Sequence, residues 1–100
     1  MTIARYRVLI APVAVRDLDE IADAVALDSP VNAVRFIARL RAAIARLERL
    51  PLRGPVAPEG LVEGAAVRNL VVGEYRILYV VRASAVHVLG VRHTRRLPFR

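Results

Sequence analysis

The stretch Tyr75-Arg76-Ile77-Leu78-Tyr79-Val80-Val81 decides the fold. It holds seven residues of strand-favouring type with one charge, is apolar on both faces, and reads as the central strand of a sheet. Working outward, Gly73-Glu74 on one side and Arg82-Ala83-Ser84-Ala85 on the other have turn chemistry. Beyond them, Ala66 to Val72 and Val86 to Val91 read as two more strands. Connections that short make these three strands antiparallel neighbours.

Upstream, residues 51–64 carry Pro51, Gly54, Pro55, Pro58, Gly60 and Gly64 and read as a loop. Before it the period becomes helical. Ala33, Phe36, Ile37, Leu40, Ile44 and Leu47 form one stripe, with Arg35, Arg39, Arg46 and Arg49 pointing away. Ser29-Pro30 is a cap followed by a proline at the first helical position, and this helix is expected to run to about Leu50, before Pro51. An earlier helix carries Leu18, Ile21, Ala22 and Val25 on one face, has Asp17, Asp19, Glu20 and Asp23 on its other side or in its early turns, and stops near Leu27-Asp28 ahead of Pro30. Two amphipathic helices joined by so short a turn form an antiparallel hairpin that needs a sheet to cover. Tyr6-Arg7-Val8-Leu9-Ile10, closed by Pro12, is a first strand. The fold class is therefore α+β, ordered β-α-α-β-β-β, with the hairpin on one face of a small antiparallel sheet, and residues 1–100 read as one domain.

Composition narrows the chemistry. The chain is 56% hydrophobic, which excludes a disordered tail, and it has no cysteine, which excludes disulfides, thiolate metal sites and cysteine nucleophiles. No apolar run reaches the ~20 residues of a membrane span, and Met1 to Arg5 lacks the apolar stretch of a signal peptide, so a cytoplasmic protein without membrane contact is expected. All 16 basic residues are arginine, and the net charge is +7. Residues 1–30 carry three arginines against five acids, residues 31–64 six against three, and residues 65–100 seven against Glu74 alone. A GC-rich genome is the plain alternative reading of arginine over lysine. It does not account for the acids avoiding the last third, which points to an anionic partner.

The order of elements, Arg68 in Val67-Arg68-Asn69-Leu70, the YRILY segment Tyr75 to Tyr79 and the ending Val88 to Arg96 together resemble the RelE/ParE superfamily of type II toxin–antitoxin toxins. Pro12 to Ile21 and the helix exit at Leu50-Pro51 are similar to the ParE branch. The resemblance covers nearly the whole chain. It implies a small bacterial toxin without cofactor or metal, neutralised by a cognate antitoxin. ParE-like members poison DNA gyrase and are not nucleases. RelE-like members are metal-independent endoribonucleases that enter the ribosome and cut mRNA.

The residues lean between these two. Metal-free RNA cleavage needs a base for the 2′-hydroxyl, an acid for the leaving oxygen and cations for the phosphate. Arg76 matches the family position of a phosphate-binding arginine and should emerge on the sheet face away from the helices; Arg68, His93 and Arg95 complete the candidate set. The plain alternative for Arg76 and Arg68 is an ion pair, with Glu74 or an acid of the helices as partner. His93 is equally at home as a solvated strand-end residue, His87 reads as structural, and Tyr75 and Tyr79 read as aromatic core. Arg68, Arg76, Arg92, Arg95 and Arg96 are the candidates for binding the target or a nucleic acid, with Arg100 extending the basic end of the chain. Arginine stays protonated and is a poor base, there is no lysine, and Phe99 stands where RelE-like enzymes have a tyrosine. The proton-transfer set looks incomplete, so the expectation is a ParE-like binder acting on gyrase, with the ribosome-dependent nuclease as the alternative.

Overall fold

The computed structural model describes residues 5–96. Strand β1 (Arg7–Ile10) leads directly into α1 (Pro12–Ala26). Ala11 keeps an extended backbone and donates its N–H to Val88 O at 3.0 Å, so the sheet ladder continues to the residue at which the helix starts. Pro12 can open the helix because its missing N–H would have had no partner there. The turn into α2 (Pro30–Arg46) is capped by Ser29, whose hydroxyl accepts the Asn32 N–H at 3.2 Å. Helix α2 ends at Arg46, short of the expected Leu50. Leu47, Glu48 and Arg49 donate to Ile44, Ala45 and Arg46, three residues back, a tightened coil that persists until Pro51.

Four strands follow: β2 (Val56–Val62), β3 (Ala65–Val72), β4 (Tyr75–Arg82) and β5 (Ala85–His93). The element order is thus β-α-α-β-β-β-β and the sheet order β1-β5-β4-β3-β2. Two features differ from the sequence expectation. The segment 51–64 contains an edge strand rather than only a loop. Pro58 and Gly60 are tolerated because β2 pairs with β3 only near its ends, Val56 with Arg68 and Leu61–Val62 with Ala66–Ala65. Its hairpin turn is Glu63-Gly64, where both residues have positive φ (49° and 81°). The sheet is also mixed. β2 to β5 form an antiparallel meander, and β1 joins it parallel to β5, Arg7 beside Ala85 and Ile10 beside Val88, because the helical hairpin carries the chain back across the sheet.

The helices cover one face. Ala14, Leu18 and Ile21 of α1 and Leu40, Ala43 and Ile44 of α2, with Leu47 beyond its end, pack on Val72, Ile77, Tyr79, Val86, Val88 and Val91. Tyr79 is fully buried, and its hydroxyl accepts the Gly54 N–H at 2.9 Å. A Cβ at Gly54 would lie 2.5 Å from Asn69 O and 2.8 Å from that hydroxyl, so the chain passes here only as glycine. On the opposite face Ala57, Val67, Leu78 and Val80 form a second, smaller core beneath β2. Between Leu78–Gly90 and Tyr79–Val88 the register slips by one residue, leaving Leu89 as a bulge in β5. No helix among the described residues is long and apolar enough to cross a membrane.

Candidate functional site

Strand alternation distributes the candidates. Ile77 and Tyr79 point to the helices, so Arg76, Leu78 and Val80 point away from them, as the sequence implies for Arg76. That side chain is not exposed. Its guanidinium makes two hydrogen bonds to the Glu59 carboxylate, 3.0 and 2.6 Å, and a longer one of 3.4 Å to Asn69 Oδ1. Arg76 and Glu59 are each only 8% exposed. The Arg76 hydrogen bonds outweigh burial and hold the Glu59 carboxyl below the usual glutamate range, helped by the nearby charge of Arg92; the same pair pushes Arg76 further up. The partner of Arg76 is thus neither Glu74 nor a helical acid. It comes from β2, inside the segment that reads as a loop. Glu74 sits instead 3.8 Å from His93 Nε2.

Arg68 lies on the other side of the sheet. It is the cross-strand partner of Tyr79, and its guanidinium donates to Gly54 O at 2.9 Å, tying the loop after α2 to β3. Its charge opposes the upward push that burial gives the Tyr79 hydroxyl. Partners directly across a strand pair share a face. The pairs Arg68–Tyr79 and Tyr75–His93 therefore put Arg68 and His93 on the helix side, four residues apart along β4, or roughly 13 Å. Arg76, with Arg92 opposite, is on the far side. The set Arg68, Arg76, His93 and Arg95 is not assembled around a common point. This corrects the expectation that these residues complete one site with Arg76: Arg68 and Arg76 stand on opposite faces of the sheet.

His93 ends a row of rings. Its imidazole meets Tyr75 edge-on at 5.2 Å, and Tyr75 in turn meets Phe36 of α2 at 5.5 Å. His93 Nδ1 accepts the Arg95 N–H at 3.1 Å, which turns the chain and leaves Nε2 towards Glu74. Arg95 and Arg96 are exposed. Arg92 and Arg96 line a cavity of about 300 Å³ with Leu78, Leu89, Gly90, Val13 and Asp17. Asp17 crosses from α1 to accept the Val91 N–H at 2.9 Å, beyond the point where β1 ends and the β5 edge loses its neighbour. Arg100 and Phe99 lie outside the described residues. The described residues contain no cluster of three imidazole or carboxylate groups able to hold a metal ion.

Sequence reasoning passed over Glu59, Asn69 and Asp17. Ala57 and Glu59 alternate across Pro58, a faint strand signal inside the proline- and glycine-rich segment. For Asp17, read as an ordinary helix-start acid, no local signal exists, because its partner is 74 positions away.

A helical hairpin on one face of a mostly antiparallel five-stranded sheet, with arginines on β3, β4 and the end of β5, defines a RelE/ParE-like protein. Residues 8–98 match the family of ParE toxins of type II toxin–antitoxin systems (parDE), and the chain belongs to that family. It is 38% identical over 85 residues to Toxin RelE2 of Caulobacter vibrioides, an alignment covering 84% of this chain and 90% of that protein. Among solved structures, the chromosomal ParDE system from P. aeruginosa superposes with a TM-score of 0.73 over 90% of this chain and 97% of that one. At 22% identity that likeness shows the fold alone. The RelBE2 toxin–antitoxin complex from Mycobacterium tuberculosis superposes with a TM-score of 0.61 at 27% identity, over 92% and 94% of the two chains.

Proposed function

We propose that this toxin acts by binding rather than by cleavage, arresting growth through DNA gyrase, and that a cognate antitoxin neutralises it. The observation that carries the reading is the Glu59–Arg76 pair. An arginine that must meet a scissile phosphate cannot also be buried and neutralised by a carboxylate, and here the candidates Arg68 and His93 stand roughly 13 Å apart on the other face of the sheet. What is left for contact is the exposed basic end, Arg95 and Arg96 with Arg92 beside them.

The antitoxin reading rests on the helical hairpin. Leu27, Val31 and Val34 are 89, 60 and 73% exposed, beside an apolar groove of about 580 Å³ between α1 and α2 lined by Ala22, Ala26, Ala33, Val34 and Ile37. An apolar segment with acidic flanks would cover it and meet the net charge of +7. Both structural neighbours belong to toxin–antitoxin systems, which supports the same partner.

The test is gyrase supercoiling with the purified toxin, run beside a translation reaction that follows mRNA. Inhibited supercoiling with intact mRNA is the expected result. Untouched supercoiling at micromolar toxin, together with cleavage of translated mRNA, would favour the RelE-like endonuclease. The name of the Caulobacter relative, Toxin RelE2, keeps that second reading in view.

A further inference from the structure

A second basic site lies at the same end of the sheet as the end of β5 but two strands over, since Val72 faces Tyr75 and Tyr75 faces His93, about 10 Å in all. Arg39 and Arg46 of α2 and Arg53 of the following loop border a notch of about 130 Å³ against Leu70, Val71 and Val72 of β3. None of the lining residues is acidic, and among the described residues no carboxylate pairs with any of these three arginines. Helix α2 itself contains four arginines and no acid. The notch exists because β2 leaves β3 early: Asn69 N–H still reaches Pro55 O, but no strand pairs with β3 on that side beyond Arg68. Hydrogen-bonding direction alternates along a strand, so the Val71 N–H points the same way as that of Asn69, out of the unpaired edge and into the notch.

We infer that this notch is a contact site for the phosphodiester backbone of a nucleic acid. Three guanidinium forks and one outward amide suit a tetrahedral oxyanion, which offers several acceptor oxygens to planar donors. One peptide carboxylate would neutralise only one of the three cations. A duplex presents a charge about every 3.4 Å of its axis on each strand, and Arg39 and Arg46 stand about 10 Å apart along α2, so two phosphates a few steps apart on one backbone can meet both. The site is separate from the basic end: it borders β3, with β4 between it and β5. It is independent of the gyrase reading, since the contact needs no topoisomerase.

The test is fluorescence anisotropy of the full chain with a labelled duplex of about 20 base pairs, between about 50 and 200 mM salt. Arg39→Gln/Arg46→Gln/Arg53→Gln is expected to weaken binding by about tenfold or more and to flatten the slope of log affinity on log salt by about 2 to 3. The matching triple lysine variant should keep most of the slope, which a merely structural role would not produce. Arg95→Gln/Arg96→Gln should cause a separate, additive loss. Unchanged affinity and slope in a triple glutamine variant that melts like the parent overturns the proposal. So does inorganic phosphate binding that the glutamine variant loses while its duplex affinity stays the same, which would make this a small-anion site. A glutamate-rich peptide bound as tightly as the duplex, and lost in the same variant, would overturn it in favour of a protein partner.

Discussion

Glu59 and Arg76 are joined by two hydrogen bonds although they belong to strands that are not neighbours: β3 lies between β2 and β4. The pair closes the smaller core at one end and fixes the irregular middle of β2, where regular pairing with β3 is missing. Within this toxin it is the most consequential polar contact, because each partner is nearly sealed from water.

Removing one half should therefore cost more than removing both. Glu59→Gln leaves a buried guanidinium without its counter-charge and is expected to lower unfolding stability by about 3–5 kcal/mol. Glu59→Leu/Arg76→Met should recover a large part of that. Urea unfolding of the three proteins checks it, and a double variant no better than Glu59→Gln would show that the pair is not the source of the loss.

The same pair sets an acid limit. Because the Glu59 carboxyl is held below its usual value in the folded protein, its contribution is complete above about 4.3 and drains away as pH falls through the lower, folded value. Urea midpoints taken from neutral pH downward should fall more steeply in the parent than in Glu59→Gln. Parallel curves would remove Glu59 from the acid response.

Gly54 and Tyr79 make a second junction, between the α2 exit and the main core. Gly54→Ala drives a methyl group into Asn69 O and the Tyr79 hydroxyl and should destabilise by about 1–3 kcal/mol. Tyr79→Phe keeps the packing but strands the buried Gly54 N–H, at a cost of about 1–3 kcal/mol. Thermal melts of both variants read these losses.

Toxicity and neutralisation should separate. Val34→Asp puts a charge in the apolar hairpin groove and is expected to weaken antitoxin binding while growth arrest persists. If the proposed gyrase reading holds, His93→Ala should leave inhibition of supercoiling and growth arrest in place, since the imidazole is engaged with Tyr75, Arg95 and Glu74. Arrest abolished by His93→Ala in a protein that still folds would argue for proton-transfer chemistry instead.

Much of this architecture is legible in one dimension. Helical periods, the Ser29-Pro30 start and the two tight turns around Tyr75–Val81 are local signals, and local physics settles them. The rest depends on distant parts of the chain. An edge strand containing Pro58 and Gly60 looks like a loop because its pairing is partial, and the parallel seat of β1 depends on where β5 ends up. Arg68 could have been placed: a two-residue turn between Val72 and Tyr75 puts it opposite Tyr79, and Tyr79 belongs to the helix-facing row. The partner of Arg76 could not, since it sits on the strand that composition hides. The bulge at Leu89, which resets the register between Arg92 and the rest of β5, leaves no compositional trace either.

Chain order and sheet order disagree at one place, where β5, the latest strand among the described residues, is inserted between β1 and β4. On a translating ribosome the first strand consequently waits without a neighbour until Ala85 and the residues after it have cleared the exit tunnel, and only then can Asp17 find Val91. A nascent chain halted before that point holds a helical hairpin with a large part of its floor missing. Closure of the sheet around this toxin's first strand is thus gated by the arrival of a strand far downstream in the chain.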